Sequence, residues 1–165
     1  MSFVSFRFCV FLCLLTLVYY ALPMKRRYLA LLAGSIYFYL SISADAWWIF
    51  GAATLASFAL GRLLARFPSR FLLAVSVVII LTPLLLIKNG NFVLVRLLHE
   101  KPFPWIVPLG ISYYTLQMIS YLVDTYSGKI KEQPDFLRYL LYISFFPHIV
   151  QGPIPRYENL MGGVD

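Results

Sequence analysis

Six stretches of this chain are apolar over lengths that a soluble domain seldom sustains. They are Phe3–Leu22, Tyr28–Ser43, Ala46–Leu64, Phe71–Ile87, Trp105–Val123 and Phe136–Val150. In hydrocarbon no water meets the backbone N–H and C=O groups, so each run has to satisfy them internally, which an α-helix does. About 20 apolar residues cross a bilayer as a helix. The chain is 61% hydrophobic and only 13% charged, against roughly half and a quarter in a soluble domain. The predicted fold class is therefore all-α: a polytopic transmembrane helical bundle of about five or six spans. No linker, repeat or low-complexity segment divides residues 1–165, so a single domain, or part of one, is the simplest reading.

Charge placement predicts an orientation. Lys25, Arg26, Arg27, Arg62, Arg66 and Arg70 cluster in or beside two loops that hold no acid, whereas the turn between them holds Asp45 and no base. Basic residues gather on the cytoplasmic side, which puts the N-terminus outside and makes the protein a multi-pass component of the cell membrane. Lys129 and Lys131 fall inside as well. Residues 88–104 read as a mixed loop and break the rule, because Lys88, Arg96 and Lys101 would lie outside. The net charge of +7 is dispersed between apolar runs. That pattern sets topology and meets lipid headgroups; it offers no phosphate-tracking surface, so no nucleic-acid partner is expected. The first run has its basic cluster after it and no small-residue cleavage site, so it reads as a retained helix and not a signal peptide. Cys9 and Cys13 lie one helical turn apart in that run, with no His or carboxylate near. They are poor metal ligands, and packing as small apolar residues is the expected role. Neither a metal nor a cofactor is expected. In the third run, Ala53, Ser57 and Gly61, with Ala52 and Ala56, form a small-residue face for close helix packing.

The fifth run carries a polar stripe. Tyr113, Gln117, Ser120, Tyr121 and Asp124 recur at helical spacing. Polar side chains are costly against lipid, so the stripe should face the bundle interior or a water-filled cavity. Two readings stand for these residues: lining a substrate path, or making interhelical hydrogen bonds. Asp124, at the helix end, is expected in a structural ion pair with Arg156 or Lys129.

Near the C-terminus stands Phe145-Phe146-Pro147-His148-Ile149-Val150-Gln151-Gly152-Pro153-Ile154-Pro155-Arg156-Tyr157. Its prolines lack the backbone donor and clash with the preceding turn. The sixth helix is therefore expected to break or re-enter, against protein or a polar cavity. His148 has the right chemistry for a general base, but no acid near it in sequence would orient it; cavity lining with Gln151 is the expected role. Arg156 suits a phosphate or carboxylate, a lipid headgroup, or Asp124. No nucleotide loop, zinc motif or nucleophile elbow occurs.

Together with Pro108-Leu109-Gly110-Ile111-Ser112-Tyr113-Tyr114-Thr115 and Tyr121-Leu122-Val123-Asp124-Thr125-Tyr126, that run resembles the membrane-bound O-acyltransferase family, in its bacterial alginate O-acetyltransferase and D-alanyl transfer branch. The match is densest over residues 104–160. The resemblance implies a helical fold around a tunnel and an acyl group, acetyl or D-alanyl, taken from a cytoplasmic thioester such as acyl-CoA or an acyl-carrier protein. The acceptor would be a hydroxyl of an extracytoplasmic polysaccharide or wall polymer, with a secreted transfer partner among the expected associates. The family's catalytic His is expected beyond Asp165, so no catalytic residue is assigned within these 165 residues and the polypeptide alone is expected to be inactive. Two other classes share the polar stripe and the broken helix: a transporter or flippase component, and a non-catalytic membrane scaffold.

Overall fold

The structure, a computed structural model, describes residues 6–23, 26–43, 46–96, 108, 110–130 and 132–145. Among them are six helices and no strands: α1 Phe6–Ala21, α2 Arg27–Ser43, α3 Trp47–Arg66, α4 Arg70–Arg96, α5 Ile111–Tyr126 and α6 Phe136–Ser144. The helix α3 and the Arg70–Gly90 part of α4 are long and apolar enough to cross a membrane. The apolar part of α1, Phe8–Ala21, is shorter.

Several boundaries have a local cause. Helix α3 stops where Pro68 follows, and the Phe67 amide closes the last turn on the Leu63 carbonyl at 2.9 Å. Pro83 sits inside α4, where it has no N–H to offer the Ile79 carbonyl. Even so, α4 runs on through Lys88-Asn89-Gly90-Asn91 to Arg96, where a loop was expected from residue 88. Gly and Asn weaken a helix by at most about 1 kcal/mol each, and the next proline is Pro102. Helix α5 begins at Ile111 and not at Trp105. Gly110 takes a left-handed φ of 70°, a conformation that a helix cannot pass through. Helix α6 ends at Ser144, with Phe145 already non-helical at ψ 101°, so the expected helix to Val150 is shorter. Pro147 could not donate to the Ile143 carbonyl, and the residue before a proline disfavours helix. The proposed break itself, residues 147–156, lies outside the described residues.

Helix α5 wedges between α3 and α4, while α6 lies over α2 and α3 and touches α5; α1 packs on α2. The core sits where α3, α5 and α6 meet, around Leu64, Met118, Tyr121, Leu122, Tyr139, Leu141 and Tyr142. The outer helices show apolar side chains outward, among them Leu14 and Leu17 on α1 and Phe71, Val78, Leu85 and Leu86 on α4. Cys9 and Cys13 are also exposed. They lie on the outward side of α1, an outer helix, among its exposed apolar residues.

The small-residue face of α3 works as a close approach. Ser57 is fully buried, and Gly61 faces Tyr121 so closely that an added Cβ would collide with its ring. Ala52 is exposed and lies off this face. The Tyr121 ring cannot retreat: it is wholly buried and lies 4.6 Å from the Tyr139 ring, centroid to centroid. Gly61→Ala is therefore expected to cost about 1–3 kcal/mol through overpacking, read as a lowered thermal midpoint in detergent. Gly51→Ala, where a Cβ meets nothing within 4 Å, should leave that midpoint unchanged or raise it.

Candidate functional site

The polar residues of the interior come mainly from α5 and α6, with α3 contributing Ser57. On α5, Tyr114, Gln117, Tyr121 and Asp124 are all buried, and they recur at steps of three and four residues, which share one helical face. Tyr113 and Ser120 are half-buried beside them. This face is turned inward because an amide or phenol facing lipid would lose its hydrogen bonds, at several kcal/mol per group.

Gln117 clasps α6. Its Nε2 donates to the Tyr142 carbonyl at 2.7 Å, and the Tyr142 hydroxyl returns toward the Gln117 carbonyl at 3.5 Å. The Tyr142 carbonyl lies in the last turn of α6, where no later amide of the helix reaches it. Gln117 thus supplies a donor to a buried acceptor that the helix itself leaves unmet. Its Oε1 stays buried with no partner among the described residues. The same holds for the hydroxyls of Tyr39, Tyr114 and Ser144. Tyr39, Phe50 and Tyr114 form a ring cluster, one pair tilted and the other edge-to-face, with centroid separations of 4.6 Å and 5.2 Å, that joins α2, α3 and α5.

One turn closer to the α5–α6 connection, Ser57 and the Tyr139 hydroxyl share a buried hydrogen bond of 2.7 Å. The Tyr121 hydroxyl donates to Gln133 Oε1 at 2.9 Å. The guanidinium of Arg62 donates to the Pro134 carbonyl at 3.1 Å and lies 5.1 Å from the centre of the Phe58 ring. These bonds hold the connection against the end of α3. Asp124 pairs with Lys129 at 3.5 Å, and the Lys129 amide donates to the Asp124 carbonyl at 3.0 Å. Lys129 is thus a partner of Asp124, as one of the two expected pairings had it; Arg156, the other, lies outside the described residues. The lysine is half exposed, so the pair contributes roughly 0–1 kcal/mol.

The fold thus brings Gln117, Tyr121 and Asp124 into one buried array and places Tyr113 and Ser120 at its edge. His148, Gln151 and Arg156 lie outside the described residues. Sequence reasoning missed Tyr139 and Tyr142 altogether, and it read Ser57 only as a small packing residue. The signal was present: Tyr139 and Tyr142 stand three apart in an apolar helix, the spacing that gave weight to the stripe on α5. Among the described residues, no group of His, Cys, Asp and Glu could hold a metal ion.

A helical bundle with apolar outer faces and a hydrogen-bonded polar interior defines a membrane-type protein. No family model matches the chain, and no solved structure matches it. Curated relatives do. The chain is 28% identical to the probable alginate O-acetylase of Azotobacter vinelandii, over 92% of its own length and 33% of the relative's. It is 34% identical to the peptidoglycan O-acetyltransferase of Helicobacter pylori, over 43% of the chain and 18% of the relative. It is 36% identical to the teichoic acid D-alanyltransferase of Bacillus subtilis, over 56% of the chain and 24% of the relative. The chain is thus similar in sequence to proteins named as alginate O-acetylase, peptidoglycan O-acetyltransferase and teichoic acid D-alanyltransferase, the group to which its motifs pointed. It spans about a third of the length of the alginate relatives.

The Ser57–Tyr139 bond is open to a direct measurement. In a double-mutant cycle, Ser57→Ala and Tyr139→Phe should each lower stability, with a coupling of about 1 kcal/mol in detergent-solubilised protein. Strictly additive effects would show that the two hydroxyls do not hold α3 to α6.

Proposed function

We propose that the chain forms part of a membrane-embedded O-acyltransferase that moves an acetyl or D-alanyl group to an envelope polymer. The donor in this reading is a cytoplasmic thioester, acyl-CoA or a loaded carrier protein, and the acceptor is a hydroxyl of an extracytoplasmic polysaccharide or wall polymer. The protein spans the membrane five or six times, with its N-terminus outside and residues 1–165 within one domain. Tyr113, Gln117, Ser120, Tyr121 and Asp124, together with His148, Gln151 and Arg156, line the path. A secreted partner completes delivery to the polymer.

One observation carries this reading. Relatives named for three different polymers, alginate, peptidoglycan and teichoic acid, all align with this chain. What their names share is transfer of a small acyl group. The interior adds physical support. Acyl transfer across a bilayer needs a route shielded from hydrocarbon, and buried amide and hydroxyl groups with unused bonding capacity are what such a route requires. The base that activates the acceptor hydroxyl is not assigned to a residue of this chain.

Deleting the gene in its own host tests the proposal. Base-labile acyl esters on the envelope polymers, measured by NMR, should fall at least tenfold and return with the wild-type gene. A gene carrying Gln117→Leu should restore less than wild type at equal protein level. Unchanged ester content would refute the proposal. Normal esters with polymer retained inside the cell would instead identify a transporter.

A further inference from the structure

We infer that a slot between α2, α3 and α6 holds an acyl chain of a bilayer phospholipid. The slot measures about 370 Å³ and is open along one side. Tyr39 and Phe50, both buried, line it together with Trp47, Gly51, Phe136 and Leu140. No polar atom shows on its walls. The polar side chains along it turn their oxygens away: Thr54 donates to the Phe50 carbonyl at 2.8 Å, and the Tyr39 and Ser144 hydroxyls are buried from the surface.

This chemistry selects the occupant. A sugar, a phosphate or the polar end of a thioester would lose its hydration here and gain no hydrogen bond. An acetyl or alanyl group has only a few heavy atoms and would leave most of the slot unfilled. A hydrocarbon chain suits both the volume and the walls. The slot also continues the outer surface of α3, a helix long and apolar enough to cross a membrane. Its rim residues Leu40, Trp47 and Leu55 are 44%, 59% and 58% exposed, so what meets the opening is the lipid around that helix. Gly51 contributes to the slot by lacking a side chain, since a Cβ built there touches nothing within 4 Å. The inference does not depend on the acyl-transfer reading: loss of the ester phenotype and loss of lipid binding are separate results.

The test uses the full chain in detergent, stripped of loosely held lipid and titrated with dioleoyl phosphatidylcholine under native mass spectrometry. The wild type and Gly51→Ala should each retain one lipid per chain. Gly51→Leu, which fills the slot, should lower retention at least tenfold. A second measurement leaves the slot walls untouched. With Trp48→Phe and Trp105→Phe, Trp47 is the remaining indole, and its quenching by phosphatidylcholine brominated on the acyl chains should saturate at one lipid per chain. Equal retention by wild type and Gly51→Leu, quenching that never saturates, or displacement of the phospholipid by an equimolar polyprenyl phosphate would each overturn the assignment.

Discussion

Polar groups inside this bundle have few partners but one another, and that scarcity organises the interior. Helix α6 is only nine residues long, too short to be stable alone. It is held by what it presents inward. Tyr139 bonds Ser57 of α3, and the carbonyl of Tyr142 takes the amide of Gln117 on α5. Apolar contact does not determine direction in a lipid-facing protein, because a leucine is as well solvated by acyl tails as by another leucine. Hydrogen bonds buried between helices do determine it.

Close approach follows from the same contacts. For Tyr139 to reach Ser57, α6 must lie tight on α3, and Tyr121 must fill the remaining space over Gly61. A glycine is needed at that point because of the bulk of the phenol ring, not for backbone freedom. The packing face and the polar array are therefore one feature. The small residues of α3 create the depth in which the aromatic hydroxyls of α5 and α6 meet their partners. The slot between α2, α3 and α6 lies beside this array and shares Tyr39, Phe50 and Ser144 with its edge, yet its walls are apolar throughout. One bundle thus holds a packed cluster of hydrogen-bonded hydroxyls and an amide beside an open slot walled by hydrocarbon.

Much of this was legible in the chain. The apolar runs predicted helices in the right places because hydrocarbon leaves the backbone no alternative, and the polar stripe on α5 was visible from its spacing. The motifs over residues 104–160 pointed to relatives that the comparisons then supplied. The errors came where local signals compete. Lys88-Asn89-Gly90-Asn91 looked like a loop by composition, yet the penalties are small enough for α4 to continue through it. Gly110 was read within a helix, although its left-handed backbone starts one. Tyr139 and Tyr142 were overlooked because an aromatic in an apolar run looks like lipid-facing bulk until its neighbours are known.

By itself the sequence determined that this is a helical, membrane-type chain with a polar face on its fifth run, since the solvation of backbone and polar side chains depends on residue type and spacing alone. Tertiary structure decided which polar groups meet. Ser57 and Tyr139 are separated by 82 positions, and Gln117 and Tyr142 by 25. No periodicity within one helix encodes a bond to another, because pairing across helices depends on how closely and at what register they pack.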